Sequence, residues 1–186
     1  GVEPKHICVL AFTRAAAEEF EQRLTAAGIM DPKMYVGTFS TWCKHQILKD
    51  KSSRPIGPEE SANIFRSLLP TNGRLVSQVE KGELARLLVR VVSYKASFDK
   101  TNYSSVIDKK FKQLAPFKSK ILRILKKFEK WKNENRIDFD DLLTKAREIV
   151  VHKSKATKLA NRYQHIILDE VQDTNSVQWD IVERMY

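Results

Sequence analysis

The 186-residue chain is 42% hydrophobic and 30% charged, a balance that supports a sizeable core in one or two compact domains and excludes a disordered chain. No apolar run approaches the roughly 18 residues of a membrane span, and the first residues lack the basic-then-apolar order of a signal peptide. A formal net charge of +10 points to a polyanionic partner, nucleic acid before membrane.

The run His6-Ile-Cys-Val-Leu-Ala-Phe12 is continuously apolar and β-prone, the pattern of a buried parallel strand. Cys8 lies within it, and the two cysteines, Cys8 and Cys43, have no metal-type spacing. A buried thiol in a reducing, cytoplasmic setting is therefore expected. The four histidines are scattered and form no metal-binding pair. Thr13 then caps a helix that Gly28 ends, residues 34–38 read as a second short strand, and a helix follows over 41–48. Strand–helix–strand–helix with short loops is the signature of an α/β sheet.

From about Lys51 the pattern changes. Pro55, Gly57 and Pro58 punctuate a loop, and helical periodicity follows over 58–69, 75–98 with a weak point at Gly82, 105–114, 117–135, 138–151 and 155–163. The sheet pattern returns at His165-Ile-Ile-Leu168, and residues 176–186 place Val177, Ile181 and Met185 at helical spacing. The expected division is a sheet domain over 1–50 and 152–186, with an all-α subdomain over 51–151 inserted into it. The chain starts just before a buried-type strand and stops without a helix C-cap, so both ends read as cut from something longer.

The positive charge is local. Residues 1–50 sum to zero, 51–108 to +3, 109–135 to +8 and 136–186 to −1. Within 109–132 stand Lys109, Lys110, Lys112, Lys118, Lys120, Arg123, Lys126, Lys127, Lys130 and Lys132 against Glu129 alone. Ile121, Leu122, Leu125, Phe128 and Trp131 form an apolar stripe, while Lys120, Arg123, Lys127 and Lys130 line another face. Such a face is either simply solvated or touches a DNA backbone. Like charges repel along a helix, and a lysine-rich face suits phosphate contact without base readout.

The most specific string is Asp169-Glu-Val-Gln-Asp-Thr-Asn175, which follows an apolar strand. Open α/β sheets bind ligands at that strand end. A carboxylate there holds magnesium, and a second orients or deprotonates an attacking water in nucleotide hydrolysis. The bland alternative is that the acids cap the next helix.

This string resembles motif II of the UvrD/Rep/PcrA-type superfamily 1 DNA helicases. Ala11-Phe-Thr-Arg-Ala-Ala-Ala17 resembles their motif Ia, Gly37-Thr-Phe-Ser-Thr-Trp-Cys43 their motif Ib, and Ile137-Asp-Phe-Asp-Asp-Leu-Leu143 the segment that closes their helical insertion. The resemblance implies a helix-rich α/β fold with a partial RecA-like (P-loop NTPase) parallel sheet and an inserted all-α subdomain. It implies ATP and Mg2+ in the intact protein, with Asp169 as the magnesium ligand, Glu170 as the catalytic base and Gln172 beside them. It also implies 3′-to-5′ tracking along single-stranded DNA by Phe12, Thr13, Arg14, Thr38 and Phe39. Arg14-Ala15 stands where the family usually has Asn-Lys, Ser40-Thr41 where it has His-Ser, and Val171 where an aromatic is common. From the residues alone, Phe12 reads equally as core, Thr13 as an N-cap, Trp131 as core, and Asp138 with Asp141 as a helix-start signature.

No Gly-x-x-x-x-Gly-Lys-Ser/Thr occurs, and the six glycines are isolated. The 186 residues are thus expected to bind no nucleotide tightly and to hydrolyse none. Two other readings stay open: a DNA-binding or protein-interaction module of helicase-like fold, and part of a RecB/AddA-type helicase–nuclease.

Overall fold

A computed structural model describes residues 1–47, 54–71, 80–98 and 102–185, without the side chain of Asn135. The chain divides into two compact units, one formed by Gly1–Ser53 with Leu142–Tyr186 and the other by Arg54–Asp141. Among the described residues no helix is long and apolar enough to cross a membrane.

The first unit is built on three strands, β1 (Ile7–Ala11), β2 (Tyr35–Thr38) and β3 (His165–Leu168), in the order β2-β1-β3 with both pairings parallel. The central strand is the most apolar one, as parallel pairing requires, and Cys8, Val9, Leu10 and Ala11 are all buried. Burial pushes the Cys8 thiol up to about 12 despite nearby Arg162, which suits an inert core thiol. The strand stops one residue short of the apolar run, so Phe12 leaves the core and is 54% exposed. Helix α1 (Arg14–Ala26) starts where Thr13 accepts the Ala16 N–H at 3.1 Å, and Gly28 beyond its end takes a φ of 69°. Helix α2 (Phe39–Ile47) starts two residues before the expected position because Thr38 accepts the Thr41 N–H at 3.1 Å. Leu48, the expected end of that helix, lies outside the described residues.

The second unit packs helices α3 (Pro58–Leu68), α4 (Lys81–Ser97), α5 (Tyr103–Lys110) and α6 (Lys118–Asn135) around one apolar core. Phe65 and Phe128 stack at its centre with ring centroids 4.2 Å apart. The expected helix over 75–98 begins at Lys81 among the described residues; 75–79 lie outside them. Gly82 falls in its first turn, where glycine weakens a helix least. The expected helix over 105–114 is instead α5, capped by Asn102, followed by a 3-10 turn over Lys112–Phe117 that contains Pro116. Proline removes a backbone donor and disfavours the α conformation before it, so the chain breaks there and restarts as α6.

Helix α7 (Phe139–Val151) opens on a reciprocal cap, with Asp141 N–H on the Asp138 carboxylate at 2.7 Å and Asp138 N–H on that of Asp141 at 2.9 Å. The handover between units falls inside this helix, between Asp141 and Leu142, ahead of the expected boundary at residue 151. An unbroken helical period gives no sign of such a handover. Helices α8 (Lys153–Arg162) and α9 (Ser176–Met185) complete the first unit.

One member of the basic segment is not at the surface. Lys132 is 3% exposed, with its ammonium 2.8 Å from Asp138, 3.0 Å from Asp141 and 3.4 Å from Glu129, above the Phe128 ring. Burial alone would lower its pKa, and the three carboxylates more than reverse that, so Lys132 stays a cation. Asp138 moves the other way from a well-paired acid, up to about 6, because burial and the Asp141 charge outweigh Lys132. The two shifts agree on one picture: three carboxylates share a single ammonium, so the cation gains more than its nearest anion. Lys132→Met keeps the stem and leaves that acidic cluster without its ammonium. The expected result is a loss of about 3–5 kcal/mol of stability in urea denaturation at neutral pH.

Candidate functional site

Parallel pairing brings the C-terminal ends of all three strands to one edge of the sheet. Ala11 is in register with Thr38, Leu10 with Leu168, and the Asp169 N–H extends the β3 ladder by donating to Leu10 O at 3.0 Å. Phe12, Thr13, Arg14, Thr38, Asp169 and Glu170 therefore emerge along that edge, at the C-terminal side where open α/β sheets bind ligands.

The acidic string folds as a sequence of distinct roles. Asp169 is half-exposed, and its carboxylate has no hydrogen-bond partner among the described residues. Glu170 is exposed and left-handed, with φ 48° and ψ 51°, and is the one non-glycine residue of positive φ among those described. A 3-10 turn, Val171–Asp173, follows, held by the Asp173 N–H on Glu170 O at 2.8 Å. The Gln172 side-chain amide donates to the Glu170 carboxylate. Asn175 caps α9: its side-chain oxygen accepts the N–H groups of Val177 at 3.1 Å and Gln178 at 2.9 Å, and the Gln178 side chain accepts the Asn175 N–H at 3.0 Å. Capping thus belongs to Asn175, and the Asp169–Glu170 pair is left without that task. The cap was missed in the sequence because the acids standing first drew the capping role to themselves.

Along the same edge Phe12 presents an exposed ring, and Arg14 is exposed at the first position of α1. The hydroxyls of Thr13 and Thr38 each cap a helix, and Thr38 also meets the Thr41 hydroxyl at 2.9 Å. The N-termini of α1 and α2 open here, so unpaired N–H groups and the positive ends of two helix dipoles favour anions along this edge. Phe39 departs from expectation. As the first residue of α2 it turns inward, is 7% exposed and packs edge-on against Trp42 at 6.0 Å.

In the helical unit, Lys120, Arg123, Lys127 and Lys130 are exposed along one side of α6, with Lys130 3.8 Å from Glu134. Ile121, Ile124, Leu125 and Phe128 fill the opposite side. Leu122 and Trp131 are only partly buried, so the stripe includes Ile124 and Lys132 in their place.

The sequence model of the UvrD/REP helicase N-terminal domain matches residues 1–186. The chain belongs to that family. Among its relatives, a probable DNA helicase II homolog of Mycoplasma pneumoniae is 26% identical over 99% of this chain and 27% of its own length. The ATP-dependent DNA helicase UvrD1 of Mycobacterium leprae is 28% identical over 100% of this chain and 25% of its own length. The chain spans about a quarter of the length of the curated relatives it matches.

In this helicase domain the donor set at the sheet edge is all oxygen. No group of three metal-binding side chains converges among the described residues. A small hard cation that keeps most of its waters, and takes only one or two carboxylates, fits Asp169 and Glu170 on chemical grounds. Left-handed backbone at a residue with a Cβ costs roughly 1–3 kcal/mol and tends to mark functional turns. Glu170→Gly relieves that strain at some entropic cost, and a gain of about 0.5–1 kcal/mol is expected in urea denaturation. Glu170→Val, β-branched at a positive φ, is expected to lose stability in the same measurement.

Proposed function

We propose that the chain is part of the motor of an ATP-dependent DNA helicase that tracks single-stranded DNA in the 3′-to-5′ direction. The names of its relatives, DNA helicase II homolog and ATP-dependent DNA helicase UvrD1, support that reading. The observation that carries it is the shared edge: the Asp169–Glu170 pair and the exposed Phe12, Thr13 and Arg14 leave neighbouring parallel strands at the same end. On this reading the three-stranded unit is part of a RecA-like sheet, and the unit Arg54–Asp141 is an all-α insertion into it.

The residues take separate roles. Asp169 would hold Mg2+, which when bound would offset charge on the nucleotide phosphates. Glu170 accepts a proton from the attacking water, and Gln172 holds the Glu170 carboxylate in place through its amide. Phe12 stacks a base, while Thr13, Arg14 and Thr38 face the phosphates beside it. The basic side of α6 holds the backbone by charge alone, a contact that weakens steeply with salt.

Stacking on one aromatic ring contributes roughly 1–3 kcal/mol per base. Phe12→Ala is thus expected to weaken binding of a labelled single-stranded oligonucleotide about tenfold in fluorescence anisotropy. Unchanged affinity would remove Phe12 from the track.

The 186 residues contain no Gly-x-x-x-x-Gly-Lys-Ser/Thr, so nothing in them cradles the β- and γ-phosphates. Phosphate release from ATP by this chain is expected to stay at background with or without single-stranded DNA. DNA-stimulated release that disappears in Glu170→Gln would overturn that expectation.

A further inference from the structure

A second cationic surface lies on α8, in the sheet-containing unit. Lys153, Lys155, Lys158 and Arg162 stand in this ten-residue helix with no acidic residue. The acids of its own segment conceal it, because 136–186 is nearly neutral as a whole. All four cations are exposed, and none has an ion-pair partner among the described residues. Lys155, Lys158 and Arg162 follow i, i+3, i+7 spacing, so they share one flank over about 10 Å of helix rise. Arg162 is pre-positioned by packing over the Tyr163 ring, 5.1 Å from its centroid.

Helix stability does not explain this arrangement. Lys153 and Lys155 occupy the first turn, where the helix dipole is already positive and no acid offsets it. Lys155 with Lys158, and Lys158 with Arg162, are like-charge neighbours that repel. A polyanion laid along the flank offsets both effects. The exposed positions of the helix are Lys, Ser, Thr, Asn and Arg, so no large apolar side chain is available to enter a bilayer. Ser154 and Asn161 add neutral polar groups suited to phosphate oxygens. Successive phosphates of one strand advance about 3.4 Å along a duplex axis, so the flank covers about three of them.

Its place in the unit separates it from the edge already described. Helix α8 leads through Tyr163 and Gln164 into the start of β3 and packs against the Pro4–His6 turn that leads into β1. It therefore ends at the N-terminal edge of the parallel sheet, opposite Asp169 and Phe12. We propose that Lys155, Lys158 and Arg162 bind nucleic-acid phosphates without sequence preference, as a contact separate from the C-terminal edge. The identity of the polyanion rests on the DNA-helicase reading; the existence of the surface does not.

The test is fluorescence anisotropy of the 186-residue chain with a labelled 20-nucleotide strand and the matching duplex between about 50 and 200 mM salt. Four variants are compared with the unchanged chain. One carries Lys155→Gln, Lys158→Gln and Arg162→Gln, and a second keeps the charge with Lys155→Arg, Lys158→Arg and Arg162→Lys. A third carries Lys120→Gln, Lys127→Gln and Lys130→Gln in α6, and a fourth removes equal charge at scattered sites through Lys33→Gln, Lys44→Gln and Arg90→Gln. The α8 glutamine variant is expected to bind about tenfold more weakly at 100 mM salt, with a log–log salt slope shallower by about 2–3. The charge-keeping variant is expected to bind like the unchanged chain, and loss of binding there would overturn the proposal. An equal loss in the scattered variant overturns it in favour of net charge. An unchanged α8 glutamine variant beside a weakened α6 variant overturns it and leaves the helicase reading standing. No DNA binding by the unchanged chain overturns the proposal together with the DNA-tracking roles given to Phe12, Thr13 and Arg14. If the α8 glutamine variant keeps DNA binding but loses retention on phosphatidylserine vesicles, the surface is for lipid and the proposal falls.

Discussion

The parallel pairing of β3 with β1 is the constraint on which the candidate chemistry depends. Backbone hydrogen bonds fix the register, and register decides that Leu168 lies beside Leu10, with the Asp169 N–H on the Leu10 carbonyl. Two segments far apart in sequence thereby end at the same height. A slip of one residue would turn every β3 side chain to the other face of the sheet. The alternation along β3, exposed at His165 and Ile167 and more covered at Ile166 and Leu168, opposes such a slip. The acids of one segment and the exposed ring of another end at one edge because of this ladder.

Beyond the ladder, the chain separates holding from acting. Thr13, Thr38 and Asn175 satisfy helix N-termini, and Leu10 takes the last ladder bond. These groups fix where the edge turns. Asp169 and Glu170 lie just past the fixed points, one without a hydrogen-bond partner among the described residues and the other in left-handed backbone steadied by Gln172. An acid used to cap a helix would have its oxygens engaged. Giving the cap to Asn175 leaves both carboxylates without that task.

Much of this was legible from residue order. The apolar run marked the centre strand, Thr13 marked the helix start, Asp138 with Asp141 marked the next cap, and the Asp169–Asn175 string marked the family. What stayed hidden has physical reasons. The aromatics Phe12 and Phe39 both sit at strand ends, but strand β1 stops before Phe12 whereas Phe39 opens a helix with its ring inward. Periodicity does not distinguish those outcomes. The division between units lies within an unbroken helix, where the pattern does not change. The 3-10 turn around Pro116 follows a helix whose period continues past it on paper, since proline changes backbone donors and not hydrophobicity.

Lys132 shows most clearly why charge must be read in three dimensions. In sequence it is one of ten cations in a run, yet it points with Ile121, Leu125 and Phe128 into the helical unit. Its three partners come from two helices: Glu129 on its own, then Asp138 and Asp141 at the start of the next. It spends its charge on the fold, tying the end of α6 to the cap of α7. Lys120, Arg123 and Lys127, a few residues before it on the same helix, have no such partners among the described residues and keep their charge for solvent or a ligand. Helix α8 is the converse case, with four exposed cations in a segment whose total charge is near zero. Net charge located by segment finds the first surface and misses the second. Charge counted by helix face, after buried pairs are removed, finds both.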